Sequence, residues 1–367
     1  METRRPDISV SDVQHILTEI CHWKIHKIDR LDSFEDRNFM VKYENAEASQ
    51  SKEELKAMVK IVHSKNFCQQ KVKAERMVMD HLKNEGFICT SCLPFPDGKW
   101  HYHTDDGKHV FRLFSFIPGV TLKSCLHLID SKSMLLDLGS FVGKLHRSLQ
   151  KVKESIVVED RPTDPWILKN SSILRNLLKE IQGTSKEKEH LILNTLENFD
   201  HHVMTLFDDL PKGVTHNDIH DLNIIVNYHD GKLQSLECNT EENGVKAKFG
   251  LIDFNDVAFS PYLFEVAMVI RDLMVDIEDV PHLEIGAYFL TGYTEVSPIS
   301  AKELQLLPYC IQTGLCQYIV VGESEFQKQP DNEYTRLGAD NAWTVLQKLQ
   351  HITNSDISKT WKRIMNS

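Results

Sequence analysis

The chain has 367 residues, 41% of them apolar and 26% charged, which suits a soluble globular protein large enough to bury a full core. A net charge of −11 argues against a nucleic-acid binder, which needs a basic face, and no apolar run approaches the roughly 20 residues that cross a bilayer. The opening METRRPDISVSDVQHI has two arginines with no apolar stretch behind them, and Glu2, Asp7 and Asp12 come early. We therefore expect neither a secretory signal nor a mitochondrial presequence, but a cytoplasmic protein.

In chain order, NFMVKY up to Tyr43 alternates as a strand with Phe39 and Val41 on one face. A polar connection leads to a second strand, Leu55 to Val62, so the pair is expected to form a hairpin. Ala74, Met77, Val78 and Leu82 then fall on one face of a helix that Gly86 stops. Two Asp-Gly turns and aromatic alternation run to Ile117-Pro118-Gly119, where a linker is expected. Beyond it Leu138, Val142, Leu145 and Leu149 make a helical stripe, and residues 170–207 carry more helical pattern with a break near 183–185. A short hairpin follows, from Ile224 to Asn227 and then KFGLIDFN, and helices resume from Phe264 with turns near 281, 292 and 298. The expected fold class is α+β and bilobal: a small β-rich lobe with one main helix, residues 1–115, and a large mostly helical lobe, residues 116–367. The eight cysteines are scattered, as reduced thiols are, and the CxxC of Cys89 and Cys92 lacks the second pair that a structural zinc would need.

The chemistry concentrates in GVTHNDIHDLNIIV, Gly213 to Val226. Three readings compete: a metal site, a catalytic loop, and a polar turn. His216 and His220 have i, i+4 spacing, but Asn217-Asp218 and the β-branched run disfavour the helix that would bring them together. In a loop that doubles back, Asp218 can accept a proton from an attacking hydroxyl while the Asn223 oxygen binds Mg²⁺. The apolar Ile224-Ile225-Val226 would anchor such a loop. Asp253 closes the apolar run Leu251-Ile252 thirty residues on, and a carboxylate there needs a partner such as a divalent cation. Upstream, Lys60 lies among apolar residues of a predicted strand, where it either snorkels from an edge or meets a charge. Glu75 on the next helix is either a solvated face residue or the carboxylate that holds Lys60 toward nucleotide phosphates. Lys60, Glu75, Asp218, Asn223 and Asp253 in that order make chance a poor explanation.

The segments VKIV, FIPG, LGSFVGKLHRSL, HNDIHDLNIIV and LIDFNDVAFSPYLFEVA resemble the aminoglycoside phosphotransferase and choline kinase group, which has the protein-kinase-like fold. SFEDRNFMVKY and FEVA resemble its hydroxylysine kinase branch. The resemblance implies a kinase that moves the γ-phosphoryl of GTP or ATP, with Mg²⁺, to the hydroxyl of a small cationic amino alcohol or amino acid such as 5-hydroxylysine. It implies that Lys60 and Glu75 serve the donor phosphates, and that Asp218 is the base or hydroxyl-orienting carboxylate. Asn223 and Asp253 would bind the metal, and His216 and Glu265 would brace the catalytic loop. SFEDRN, Ser33 to Asn38, would cover the phosphates; it lacks the glycines of a protein-kinase phosphate loop, so Ser33 and Arg37 are the expected contacts.

For a substrate ammonium, Asp256, Glu265, Asp272 and Asp276 are candidates. Tyr262, Phe264, Tyr288 and Trp343 could cage a quaternary ammonium if the acceptor were choline-like. Ethanolamine- and homoserine-type acceptors also stay open, and outside enzymes the competing reading is a non-catalytic nucleotide-binding protein. No nucleic-acid or membrane partner is expected.

Overall fold

The computed structural model describes residues 5–31, 33, 36–45, 54–152, 161–229, 232–238, 245–328, 330 and 338–366. The chain divides into two compact units, one of residues 1–80 and 89–117, the other of residues 81–88 and 118–367.

The first unit is built on an antiparallel sheet. Its strands are β1 (Trp23–Leu31), β2 (Arg37–Asn45), β3 (Leu55–His63), β4 (Cys92–Leu93), β5 (Tyr102–His103) and β6 (His109–Ser115), in the order β1-β2-β3-β6-β4 with β5 also on β6. Phe39 and Val41 alternate inward on β2, and Ala57, Val59 and Ile61 on β3, to form one face of the core. The strand β1 and the helix α1 (Val10–Cys21) lie outside the expected set, and α1 closes that core with Val13 and Leu17. It starts in a capping box, the Ser9 hydroxyl accepting from the Asp12 N–H while the Asp12 carboxylate accepts from the Ser9 N–H.

Helix α2 (Gln69–Asn84) forms as expected, but its inner face is shifted. Ala74, Val78 and Leu82 are buried, whereas Met77 is 42% exposed and Glu75 and Met79 take the inward places. Hydrophobicity alone favours Met77; a buried charge on Glu75 is admissible only because a partner meets it.

In the second unit, α3 (Ser131–Leu149) buries Leu138, Val142, Leu145 and Leu149 fully. It crosses the helix His282–Thr294 so closely that a Cβ on Gly292 would lie 1.9 Å from the Leu136 carbonyl oxygen, and one on Gly139 2.0 Å from that of Phe289. Gly292 is thus not at the expected turn. It is inside a helix, where the missing side chain lets two backbones touch.

Helix α4 (Leu174–Glu180) and α5 (Lys186–His202, capped by Ser185) flank the break at 183–185. The hairpin region pairs β7 (Val120–Thr121), β8 (Lys212–Thr215), β9 (Ile224–His229), β10 (Lys232–Gln234), β11 (Phe249–Leu251) and β12 (Ala258–Pro261). In it β9 lies between β11 and β10 and also pairs with β7, while β8 pairs with β12. Helices α6 (Tyr262–Asp276), α7 (His282–Thr294), α8 (Ala301–Lys328), α9 (Ala339–Leu349) and α10 (Asn354–Met365) complete the unit. Among the described helices α8 alone is long and apolar enough to cross a membrane, yet 78% of its apolar window is buried within the protein, as in a core helix.

Candidate active site

The loop between β8 and β9 is held by its backbone. Asn217 takes the left-handed region, φ 66°, and turns the chain sharply after the buried His216. His216 Nε2 donates to the Ile252 carbonyl at 3.1 Å and its ring packs edge-on against Phe254 at 4.7 Å. The Ile252 N–H donates to the Asn223 carbonyl at 3.0 Å, tying β11 to the end of the loop. Ile224, Ile225 and Val226, all buried, pair with Leu251, Gly250 and Phe249. Asp253 then also adopts the left-handed region, φ 60°, and its carboxylate accepts weakly from the Asn255 N–H at 3.4 Å.

These constraints bring Asp218, Asn223 and Asp253 together. Asn223 Nδ2 donates to Asp218 Oδ2 at 2.7 Å and to the Asp218 carbonyl at 3.0 Å. With the nitrogen so used, the amide oxygen has no partner among the described residues, and with the Asp253 carboxylate it makes a set of hard oxygen donors suited to Mg²⁺. Surrounding protein pushes the Asp218 pKa up, His220 pulls it back, and the Asp256 and Asp253 charges add to the rise. The side chain keeps 38% of its area, so this carboxylate is crowded by protein yet open to a ligand. His220 Nε2 is 3.6 Å from Asp218 Oδ2 and Nδ1 is 3.7 Å from Asp221 Oδ1. Burial opposes charge on that imidazole, but the two carboxylates outweigh it and hold its pKa well above the ordinary histidine value.

Glu265, 1% exposed on the first turn of α6, accepts from the Asn217 N–H and, at 2.6 Å, from His146 Nε2. His146 is fully buried and its Nδ1 lies 2.8 Å from the Tyr293 hydroxyl. With Nε2 donating to a carboxylate, Nδ1 accepts from the phenol. This chain of bonds ends one residue before Asp218.

In the first unit, register places Asn38, Lys60 and Arg112 side by side across β2, β3 and β6. Arg112, rather than Lys60, is the residue ion-paired with Glu75, at 2.5 Å and with both side chains at most 4% exposed. A guanidinium reaches further than an ammonium from a neighbouring strand and presents more donors to a carboxylate. Burial raises the Glu75 pKa against Arg112, Lys71 and Lys60, which lower it, so the lysine's charge is still felt. The Lys60 ammonium sits 3.1 Å from Asp36. Ser33 donates to the Asp36 carbonyl at 2.5 Å, Arg37 donates to the Pro6 carbonyl at 2.9 Å, and Arg5 donates to the Ser33 carbonyl. Phe34 and Glu35 of the expected phosphate loop lie outside the described residues.

The model of the phosphotransferase enzyme family (APH) matches residues 30–299, most of the chain and every residue of the loop just described. The chain belongs to that family. It is 24% identical over 366 residues to hydroxylysine kinase of Mus musculus, covering 97% of this chain and 93% of the relative. Among solved structures it is similar to a microcompartment-associated aminopropanol kinase, with a TM-score of 0.67 at 14% identity, covering 95% of this chain and 99% of that one. It is also similar to the amicoumacin kinase hAmiN in complex with AMP-PNP, Ca²⁺ and Ami, with a TM-score of 0.63 at 14% identity, covering 96% and 94%. The fold is therefore the α+β protein-kinase-like one, and the protein is a small-molecule phosphotransferase with a hydroxyl acceptor.

For a phosphotransferase the charges around Asp218 matter next. Each of the four candidate carboxylates has a partner. Glu265 is used by the loop; Asp256 accepts from Arg161 at 2.5 Å; Asp272 accepts from Arg271 Nε at 2.7 Å; Asp276 accepts from Lys123, which also lies 3.2 Å from Asp221. Arg271 stacks over the Tyr318 ring at 4.4 Å. Burial, with the Asp221 charge beside it, pushes the Asp276 pKa up to about 6 although Lys123 opposes the shift. The four aromatic residues suggested for a cage go to separate places: Tyr262 to His146, Phe264 to Phe199 and Phe207, Tyr288 to Lys132, Trp343 to Lys188. Sequence patterns do not single out Arg112, Lys123, Arg161, Arg271 or Tyr318. His146 alone among these partners carries a signal, as a lone histidine on the apolar face of a helix.

Proposed function

We propose that this phosphotransferase moves the γ-phosphoryl group of GTP or ATP to the side-chain hydroxyl of a small cationic amino alcohol or amino acid, 5-hydroxylysine first among them. The observation that carries this is the crowded, open Asp218 carboxylate, held by Asn223 and acted on by the nearby Asp253 and Asp256 charges. The names of the full-length relatives support the acceptor.

Asp218 accepts the acceptor's proton or orients its lone pair; its raised pKa favours taking that proton, and His220 beside it steadies the anionic form. Asn223 and Asp253 would hold Mg²⁺, whose charge, when bound, neutralises donor phosphate oxygens. His216 and Glu265 keep the loop in place. Lys60, Ser33 and Arg37 serve the donor phosphates, and Glu75 acts on this side through Arg112 and the shared face with Lys60, making residues 1–115 the nucleotide lobe and 116–367 the catalytic and acceptor lobe. We place the enzyme in the cytoplasm.

A matrix of GTP and ATP against 5-hydroxylysine, choline, ethanolamine, aminopropanol and homoserine tests the reading. We expect turnover with 5-hydroxylysine that requires Mg²⁺ and that Asp218→Asn lowers about 10²–10⁴-fold. Turnover with ethanolamine and none with 5-hydroxylysine would replace the acceptor. Undiminished transfer by the variant would remove Asp218 from the chemistry.

A further inference from the structure

We propose that Arg161 is the carboxylate-recognition end of the acceptor subsite beside Asp218, so that the enzyme selects a hydroxylated amino acid over a carboxylate-free amino alcohol. This rests on the reading of Asp218 as the group that meets the acceptor hydroxyl.

Among the described residues the guanidinium is fixed from one side only. Both of its ion pairs fall on one terminal nitrogen, Nη1, to Asp256 at 2.5 Å and to Asp164 at 3.0 Å. The Nε–Nη2 edge has no partner among the described residues, and the side chain keeps 23% of its area. That edge is the parallel pair of N–H donors that matches the two oxygens of a carboxylate. Asp218 is close enough for its charge to act on Arg161 and on Arg271 alike.

The support under Arg161 is rigid. Asn170 Nδ2 donates to the Arg161 carbonyl at 2.7 Å and to the Asp164 carbonyl at 3.0 Å. Gln317 of α8, itself fully buried, donates to the Pro165 carbonyl at 2.8 Å, and Trp166 meets the Tyr318 ring edge-on at 5.9 Å. The segment is thus pinned to the helix that also carries Tyr318, the ring under Arg271. A recognition group needs this kind of prior ordering, because a loose arginine would spend its binding energy on being ordered.

The remaining charges suit the other end of the same ligand. Asp272 and Asp276 lie on one face of α6, and Asp276 shares its cationic partner, Lys123, with Asp221. Acidic groups therefore outnumber cations here, and a ligand ammonium redresses the excess. Carboxylate at Arg161 and ammonium toward α6 describe an amino acid. A plain amino alcohol would leave the arginine edge unused.

Full-length wild type, Arg161→Lys and Arg161→Met are compared on a matched pair, 5-hydroxylysine and its decarboxylated counterpart 1,5-diaminopentan-2-ol. Lysine and 1,5-diaminopentane serve as dead-end inhibitors that read binding without transfer. Wild type should favour the amino acid in kcat/KM. Arg161→Met should raise KM for the amino acid and the inhibition constant of lysine by about 10–100-fold, the scale of a charged hydrogen-bonded contact. Both constants for the decarboxylated pair should stay within about twofold, with Arg161→Lys intermediate. An equal fall for both acceptors would assign Arg161 to the donor phosphates or to folding and overturn the proposal. So would a wild type that prefers the decarboxylated acceptor, while leaving the kinase reading intact. Transfer to neither acceptor would instead sink that parent reading, and this proposal with it.

Discussion

Replacing Glu265 by alanine tests whether the loop that carries Asp218 is held from behind. The carboxylate is 1% exposed and accepts from two groups, the Asn217 N–H and His146 Nε2. Alanine leaves both donors buried with nothing to accept them. Removing one partner from such a buried charged arrangement costs about 3–5 kcal/mol. Asn217 adds to this, because its left-handed backbone is tolerated at a cost of about 1 kcal/mol only while the surroundings over-determine it.

Glutamine at 265 separates charge from shape. Its oxygen can still accept from Asn217, and its NH₂ can donate to His146 Nε2 if the imidazole proton moves to Nδ1 and is donated to the Tyr293 oxygen. The loss should then be about 1–2 kcal/mol, the charged part of the bonds alone. Chemical denaturation measures stability, and steady-state transfer at saturating donor and acceptor measures kcat. We expect Glu265→Ala to lower kcat about 10²-fold or more, a displacement of about 1 Å in a positioned group being enough for that, and Glu265→Gln to retain most of it. A Glu265→Ala protein with wild-type stability and kcat within about twofold would refute the argument.

Two further outcomes follow from particular contacts. Gly292→Ala gains helix propensity of about 1 kcal/mol, but its Cβ would meet the Leu136 carbonyl oxygen at 1.9 Å; backbone cannot step aside cheaply, so net destabilisation of about 1–3 kcal/mol is expected in urea unfolding, and a stabilised variant would contradict the close helix crossing. Asp276 has a folded pKa of about 6 against the ordinary 3.8, so the folded state binds its proton more tightly than the unfolded chain does. Its contribution to stability is therefore fully present below about pH 4 and is lost as pH rises through about 6. The stability of Asp276→Asn relative to wild type should climb across that window and level off above it, and parallel pH profiles for the two proteins would exclude the effect.

Contact along the chain separates what could be read from sequence from what could not. Asp218 and Asn223 are five residues apart, and a loop that returns onto an apolar strand brings them together by itself. The strand pair of Phe39 and Val41 with Val59 and Ile61 follows from alternation alone. Helix α1 is legible too, since the capping box of Ser9 and Asp12 opens a stripe of Val13, Leu17, Ile20 and Cys21 at helical spacing. Gly292 and Met77 show the limit of one-dimensional patterns. A glycine reads as a turn unless a second helix is known to press on it, and a methionine reads as core unless a buried ion pair is known to occupy the inner face.

Charge pairing is the least readable feature, because its partners are remote. His146 and Glu265 are 119 residues apart, and Lys123 and Asp276 are 153 apart. This changes how the acceptor site must work. Sequence suggests choosing one acidic side chain from Asp256, Glu265, Asp272 and Asp276 as the seat of an ammonium. In the fold every one of them already meets a donor, so none is a vacant counter-ion. For the acceptor proposed above, selectivity then depends on the surplus of negative charge over the whole set and on which cation still has donors to spare. Lys123 is committed to two carboxylates and Arg271 to Asp272 and a tyrosine face, while among the described residues Arg161 keeps one full edge. A site of that kind discriminates by the pattern of both charges on its ligand, and it penalises a ligand that has only one of them through the groups left unpaired.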